Sequence, residues 1–240
     1  MQKLFVDFEI SDKIVLDEEQ SRHIAKSLRM RKGDMLTVCN GNGTDYGCMI
    51  DEITKTTVTL SVCYKQACES EPSVKVSLYQ GVPKGDKMED IIQKCVELGI
   101  FSITPVLTKR SISRPDEKQA AKKQQRYAKI ALEAAQQSGR GIIPEINKMV
   151  DFKKAVSECE ADLIILFYEG GGQSIKSLIN QDIKSVAIFI GPEGGFDKEE
   201  VEAVLKKGGI KATLGKRILR TQTAPVAALA SIMLLTNNME

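Results

Sequence analysis

The sequence predicts a two-part protein: a small, mostly β, barrel-like module over residues 1–70, then a larger α/β domain with a parallel sheet over residues 74–240. Short strand-like runs separated by turn signals fill the first part, whereas strand and helix patterns alternate from Val74 onward. Two runs of the second part, "LIILF" and "VAIFI", lack polar alternation, as strands of a parallel sheet covered on both faces require. At 240 residues the chain suits one large domain or two small ones.

In the first part the expected strands are "KLFVDF", "MLTVCN", "GCMIDEI" and "TVTLSVCY". Between them "NGNGTDYG" (40–47) is a turn signal, because its Asn-Gly pairs favour positive φ. One helix, about Glu18 to Arg29, interrupts the strands. The polar segment "KQACESEPS" (65–73), with Pro72, is the expected linker. The strand "VKVSLYQGV" opens the second part. Asp86, with Glu89 three residues on, then predicts a capping-box start for a helix. Its apolar face is Met88, Ile91, Ile92, Cys95 and Leu98, and Gly99 stops it. There follow strand "IFSITPVL", a long polar helix from about Asp116 to Ser138, strand "LIILFY", a short helix near Ile175 and strand "VAIFI". A helix over 198–207, capped by Asp197 and stopped by Gly208 and Gly209, leads to strand "IKATL". The last helix begins near Thr223, its expected N-cap, with Pro225 tolerated in the first turn.

Composition excludes several classes. Apolar residues make up 42% and charged residues 28%, ordinary values for a soluble globular protein. No apolar run approaches the roughly 18 residues of a membrane span, and the start "MQKLFVDFEI" lacks the apolar core of a signal peptide, so the cytoplasm is expected. The six cysteines contain no C-x-x-C pair and His23 is the single histidine, so neither a zinc site nor a Ser-His-Asp mechanism is expected. The cysteines are expected reduced and mostly buried. Net charge is only +2, but residues 22–32 carry Arg22, Lys26, Arg29, Arg31 and Lys32 without an acid, and residues 109–129 form a second basic stretch. These are either solvated helix faces or two phosphate-binding surfaces.

The loop "GPEGGF" (191–196) follows a strand and precedes a helix, where ligands bind in open α/β sheets. It lacks the Lys-Ser/Thr of a P-loop and the G-x-G-x-x-G of a dinucleotide loop. Glu193 among the backbone amides repels phosphate, which leaves a cationic, phosphate-free ligand such as S-adenosylmethionine, or a plain tight turn. Two further strand ends carry comparable loops: "FYEGGG" (167–172), with Glu169, and "LGKRILRTQTAP" (214–225). Three such ends in succession are hard to explain as turns alone.

The pair "IGPEGGF" and "LGKRILRTQTA" resembles the two C-terminal signatures of the RsmE family, bacterial 16S rRNA uracil-N3 methyltransferases of the SPOUT superfamily. The similarity runs through most of the chain, in "RHIAKSLRMRKGD" (22–34), "KGDKMEDIIQKCVELGI" (84–100), "KRSISR" (109–114) and "QQSGRGIIPEI" (136–146). It implies an N-terminal PUA-like RNA-binding β-barrel and a C-terminal SPOUT domain with a deep trefoil knot over about 163–237. It implies a homodimer, S-adenosylmethionine as cofactor, 16S rRNA in the small ribosomal subunit as partner, and neither metal nor membrane. The apolar final helix suits a dimer interface or an intrachain core equally.

Carried over by motif, the cofactor contacts are Leu166, Phe167, Tyr168 and Glu169; Ile190, Gly191, Pro192, Glu193, Gly194 and Gly195; and Leu214, Gly215, Arg217, Ile218, Leu219, Arg220, Thr223 and Ala224. Arg140 is the leading active-site residue, and Glu169 or Glu193 is the base that takes the uracil N3 proton. Arg22, His23 and Arg29, with Lys84, Lys109, Arg110 and Arg114, are the expected RNA contacts; without the family context His23 reads as a structural histidine. Two positions depart from the family pattern, Gln136 and Gln222, each standing where the family often has glutamate. Gln keeps the hydrogen-bonding capacity and loses the charge. Alternatives are a non-catalytic RNA-binding or assembly protein on the same fold, a SPOUT enzyme acting at another RNA position, and a nucleotide-dependent α/β enzyme.

Overall fold

The computed structural model describes residues 2–239. The chain forms two compact units: one holds the residues up to Glu71 together with Ala135–Ile143, the other Pro72–Ala134 together with the residues from Pro144 on.

The first unit is built on a five-stranded sheet of β1 (Lys3–Phe5), β2 (Lys13–Val15), β3 (Met35–Cys39), β4 (Thr44–Ile53) and β5 (Val58–Ala67), in the order β1-β3-β4-β5-β2. β1 runs parallel to β3 and the other pairs are antiparallel. Leu4, Ile14, Leu36, Val38, Ile50, Val58 and Leu60 fill its core. The three-residue β2 was not foreseen, since it buries only Ile14 and carries no readable alternation. The supposed linker starts as strand: β5 continues to Ala67, held by ladder bonds to β4 through pairs such as Tyr46 and Lys65 rather than by side-chain burial. The helix expected over 18–29 is composite. Asp17 caps α1 (Glu18–Arg22) through Gln20 N–H at 2.7 Å, and a π-helical turn then spans His23–Ser27. Arg29 closes the segment in the left-handed region, φ +53.

The second unit carries an eight-stranded sheet, parallel throughout. Its strands are β6 (Lys75–Gly81), β7 (Ser102–Leu107), β8 (Glu145–Ile146), β9 (Val150–Asp151), β10 (Leu163–Phe167), β11 (Gln173–Ser174), β12 (Ser185–Ile190) and β13 (Ile210–Thr213). They run in the order β11-β13-β10-β12-β6-β7-β8, with β9 also on β7. The helices are α2 (Lys87–Glu97), α3 (Glu117–Gln137, its last residues belonging to the first unit), α4 (Phe152–Glu158), α5 (Ile175–Leu178), α6 (Lys198–Lys206) and α7 (Thr223–Leu235). Among the described residues no helix is long and apolar enough to cross a membrane.

Two starts predicted from similar sequence differ. Asp197 is extended, φ −75 and ψ 157, and forms a full capping box with Glu200 at α6. Asp86 sits at φ −95 and ψ 10, makes no side-chain cap bond, and its expected partner Glu89 pairs with Arg126 at 2.7 Å instead. Gly99, at φ +87, ends α2 as expected. Thr223 is the first residue of α7 rather than its N-cap; Gln222 holds that position without a side-chain cap bond. α7 buries Pro225, Ala228, Leu229, Ile232 and Met233, and it packs on α2, α5, β6 and β12. That spacing places one stripe in the core.

Candidate functional site

The carboxyl ends of β10, β12 and β13 each release a loop, over residues 168–172, 191–197 and 214–222. These loops surround a cavity of about 440 Å³ within the second unit, inside the roughly 300–1,000 Å³ range of small-molecule sites. The middle loop is folded on itself so closely that a Cβ on Gly191 would come 3.0 Å from the Gly195 Cα. Its backbone is therefore presented bare to the cavity. From the first loop Phe167, Tyr168 and Glu169 line it; from the second Ile190, Gly191, Pro192, Glu193 and Gly195; from the third Leu214, Gly215, Arg217, Ile218, Leu219 and Arg220, with Ala224 of α7.

Leu166, Gly194 and Thr223 are not among its lining residues. Leu166 is fully buried in the core on one face of the sheet. Gly194 turns toward Arg110, whose Nη1 donates to the Gly194 carbonyl at 2.8 Å. Phe196, Ala212, Thr213, Lys216 and Thr221 line the cavity as well. Phe196 was readable as the first apolar residue after the glycines; it is 2% exposed and packs on Phe152. Thr221 carried no signal stronger than its neighbours. Its hydroxyl donates to the Gly191 carbonyl at 2.9 Å and so joins the third loop to the second.

The two carboxylates differ in environment. Glu193 binds the Lys87 ammonium at 2.6 Å and accepts from the Lys84 N–H at 3.3 Å. Burial acts to raise its pKa, but the Lys87 and backbone bonds outweigh it and hold the carboxyl below its ordinary value of 4.5. Glu169 is exposed, and its carboxylate faces Gly195: a Cβ there would meet Oε1 at 3.4 Å. A carboxyl whose pKa is lower folded than unfolded stabilises fully above the unfolded value, and that contribution is lost as pH falls through the folded one. The stability gap between the parent protein and Glu193→Gln is therefore expected to be complete at about pH 7 and to shrink on acidification below about pH 4.5. Thermal unfolding of both proteins across that range checks this; a gap unchanged in acid would show that Glu193 does not anchor the loop through its charge.

Basic side chains also flank the middle loop and the start of α6. Lys109 bonds Glu199 at 2.6 Å and Asp197 at 3.4 Å, and its N–H donates to Glu200 at 2.8 Å. Arg114 donates to the Thr108 carbonyl at 2.9 Å. Lys84, Lys109, Arg110 and Arg114 are all exposed. In the first unit Arg22, His23 and Arg29 are exposed along α1 and the π-turn, Arg22 paired with Glu18 at 2.7 Å. Arg140 belongs to that unit and is 4% exposed. Its Nη2 lies 2.6 Å from Glu71 Oε2 and its Nε 3.3 Å from Oε1, while Glu71 also accepts from the N–H groups of Gly141 and Ile142.

Bare glycine backbone and the carboxylates of Glu169 and Glu193 face the basic Lys216, Arg217 and Arg220 across the cavity lining, a mixture that fits a ligand carrying both cationic centres and a carboxylate. The residues present thus suit S-adenosylmethionine.

A family described as "RNA methyltransferase domain" matches residues 69–233, and an "RNA methyltransferase PUA domain" matches residues 16–63. The chain is similar to "Ribosomal RNA small subunit methyltransferase E" of Bacillus subtilis, at 34% identity over 97% of this chain and 96% of that protein. The protein of the same name from Aquifex aeolicus is 30% identical over 92% of this chain and 93% of its own length. Among solved structures, a ribosomal RNA small subunit methyltransferase E from Neisseria gonorrhoeae bound to S-adenosyl methionine superposes with a TM-score of 0.88, at 28% identity and 98% coverage of both chains.

Proposed function

The chain belongs to the RNA methyltransferase family, in the group of ribosomal RNA small subunit methyltransferase E, and from that membership we propose that it transfers a methyl group from S-adenosylmethionine to N3 of a uridine in 16S rRNA. The observation that carries the reading is the cavity bounded by three glycine- or base-rich loops at the ends of three adjacent strands, β13, β10 and β12. Phe167 to Glu169, Ile190 to Gly195 and Leu214 to Ala224 would hold the methyl donor, whose sulfonium supplies an electrophilic methyl group when bound.

The chain's own task is to make a poor nucleophile attack. Uracil N3 is protonated at neutral pH, so a proton must leave and negative charge must be stabilised on the flanking oxygens. Glu193 is a weak base, because Lys87 and backbone bonds hold its pKa down. Glu169 is the proton acceptor in this reading, being exposed and without an ion-pair partner among the described residues. Arg140, oriented by Glu71, supplies the cation for the uracilate oxygens. Positioning contributes more, up to about 7–11 kcal/mol in well-oriented cases. The target base must be unpaired or flipped out, because N3 is occupied in Watson–Crick pairs. Arg22, His23 and Arg29 of the first unit, and Lys84, Lys109, Arg110 and Arg114 of the second, would bind phosphates around it.

The reading extends to a homodimer acting in the cytoplasm on the small ribosomal subunit. It extends also to a trefoil knot over about 163–237. The knot is supported by the strand order β13-β10-β12 and by residues 214–222, which return from β13 to reach Gly191 before α7 packs on α2. Incubation with small subunits lacking the modification, followed by nucleoside mass spectrometry, tests the assignment. One methyl group at uracil N3 is expected, and methylation at any other atom refutes the specificity.

A further inference from the structure

Gln80 is the penultimate residue of β6, and its side chain is fully buried. Its Nε2 donates to the Gly81 carbonyl at 3.0 Å and to Thr221 Oγ1 at 3.1 Å, and it also lies at a longer 3.5 Å from the Gly191 carbonyl. A carbonyl oxygen only accepts, so the Gly81 bond fixes which end of the amide carries nitrogen. The Thr221 hydroxyl accepts from that amide and passes its own proton to the Gly191 carbonyl at 2.9 Å. One directional chain of hydrogen bonds therefore runs from β6, an interior strand, through the third loop, to the first residue of the second. Thr221 and Gly191 line the cavity; Gln80 stands behind them.

The other end of the amide supplies an independent observation. Gln80 Oε1 is buried and has no hydrogen-bond partner among the described residues. Leaving such an acceptor unpaired is unfavourable. A methionine would fill the same length without that penalty. The nitrogen end of the amide serves the Gly81 carbonyl and the Thr221 hydroxyl, but the oxygen end gives the fold nothing, and residues that break a local rule are expected where a site requires them.

We propose that Gln80 is a positioning residue of the methyl-donor site: through Thr221 it fixes the third loop against Gly191 and sets the spacing of the two loops across the cavity. This rests on the reading of the cavity as the S-adenosylmethionine site. Calorimetry with S-adenosylmethionine and thermal unfolding, run side by side, test it. Gln80→Met is expected to weaken binding about tenfold, the worth of a good hydrogen bond, while its Tm stays close to that of the parent protein, because relief of the unpaired oxygen offsets the lost amide bonds. A purely structural glutamine would lower Tm in step with affinity. Thr221→Val, which keeps the shape and loses the hydroxyl, is expected to reproduce the loss, and Thr221→Ser to restore most of it. Should Gln80→Met fail to fold, the Thr221 pair decides. Parent-like binding by Gln80→Met, or equal losses in Thr221→Val and Thr221→Ser, overturns the proposal. A parent protein that binds no S-adenosylmethionine fails the underlying reading as well, whereas normal parent binding with indifferent variants fails this inference alone.

Discussion

Gly81→Ala is expected to weaken binding of S-adenosylmethionine by about a hundredfold or more, the equivalent of roughly 3 kcal/mol. A Cβ at this position would lie 2.5 Å from Pro192 Cδ and 2.7 Å from the Pro192 backbone nitrogen. Something must move, and it is not the strand. β6 is paired in register on both sides, Gln80 with Ile190 of β12 and Gly81 with Val106 of β7, and the Val82 N–H continues that ladder to the Val106 carbonyl at 3.0 Å. The displaced element is therefore the loop that begins at Gly191, whose residues form the middle wall of the cavity. Overpacking of this kind typically costs about 1–3 kcal/mol of stability, so Tm falls too. Gly208→Ala separates the two effects. Gly208 has φ +92 with open space around its would-be Cβ, and it lies outside the cavity lining. Both variants are expected to lose stability, and only Gly81→Ala to lose the ligand. Parent-like affinity in Gly81→Ala would mean that the loop moves without consequence for the site.

How much of this could be read beforehand depended on whether the determining contacts were local. β10 and β12 announce themselves as unbroken apolar runs, because a strand buried on both faces has no polar side to show. The pattern also gave α2 and α6, yet only α6 received its capping box. Asp86 follows Gly85 at φ +64 and enters α2 with a backbone that keeps its side chain off the helix amides, a feature spacing cannot report. α4 was missed although Phe152, Ala155, Val156 and Cys159 keep helical spacing, since only two helical turns carry the signal. Within the site, composition identified the three loops. It could not identify Gln80, a buried polar residue in a strand whose purpose lies in Thr221, 141 positions away. The Glu71 partner of Arg140 was hidden for the same reason, at a separation of 69.

Arg140→Ala is expected to lower turnover by about a hundred- to a thousandfold, the loss typical when a preorganised charge-stabilising donor is removed, while leaving affinity for S-adenosylmethionine within a few-fold of the parent. Neither Arg140 nor Glu71 lines the cavity, so the methyl donor has no direct contact to lose. The variant also breaks a nearly buried ion pair, with side chains 4% and 17% exposed, and removal of one such partner typically costs about 3–5 kcal/mol. Lost turnover alone would therefore not distinguish a guanidinium that acts on uracil from one that merely pins residues 139–142. Glu71→Gln makes the distinction. It keeps an acceptor for the Gly141 and Ile142 N–H groups and for the guanidinium, but removes the carboxylate charge. The pin is weakened while the arginine remains. If the guanidinium stabilises the uracilate, Glu71→Gln loses stability but keeps most of its single-turnover rate, and Arg140→Ala loses both. Equal losses of rate in the two variants would assign Arg140 to the architecture of the 139–142 loop and leave the charge on the uracil oxygens to another donor.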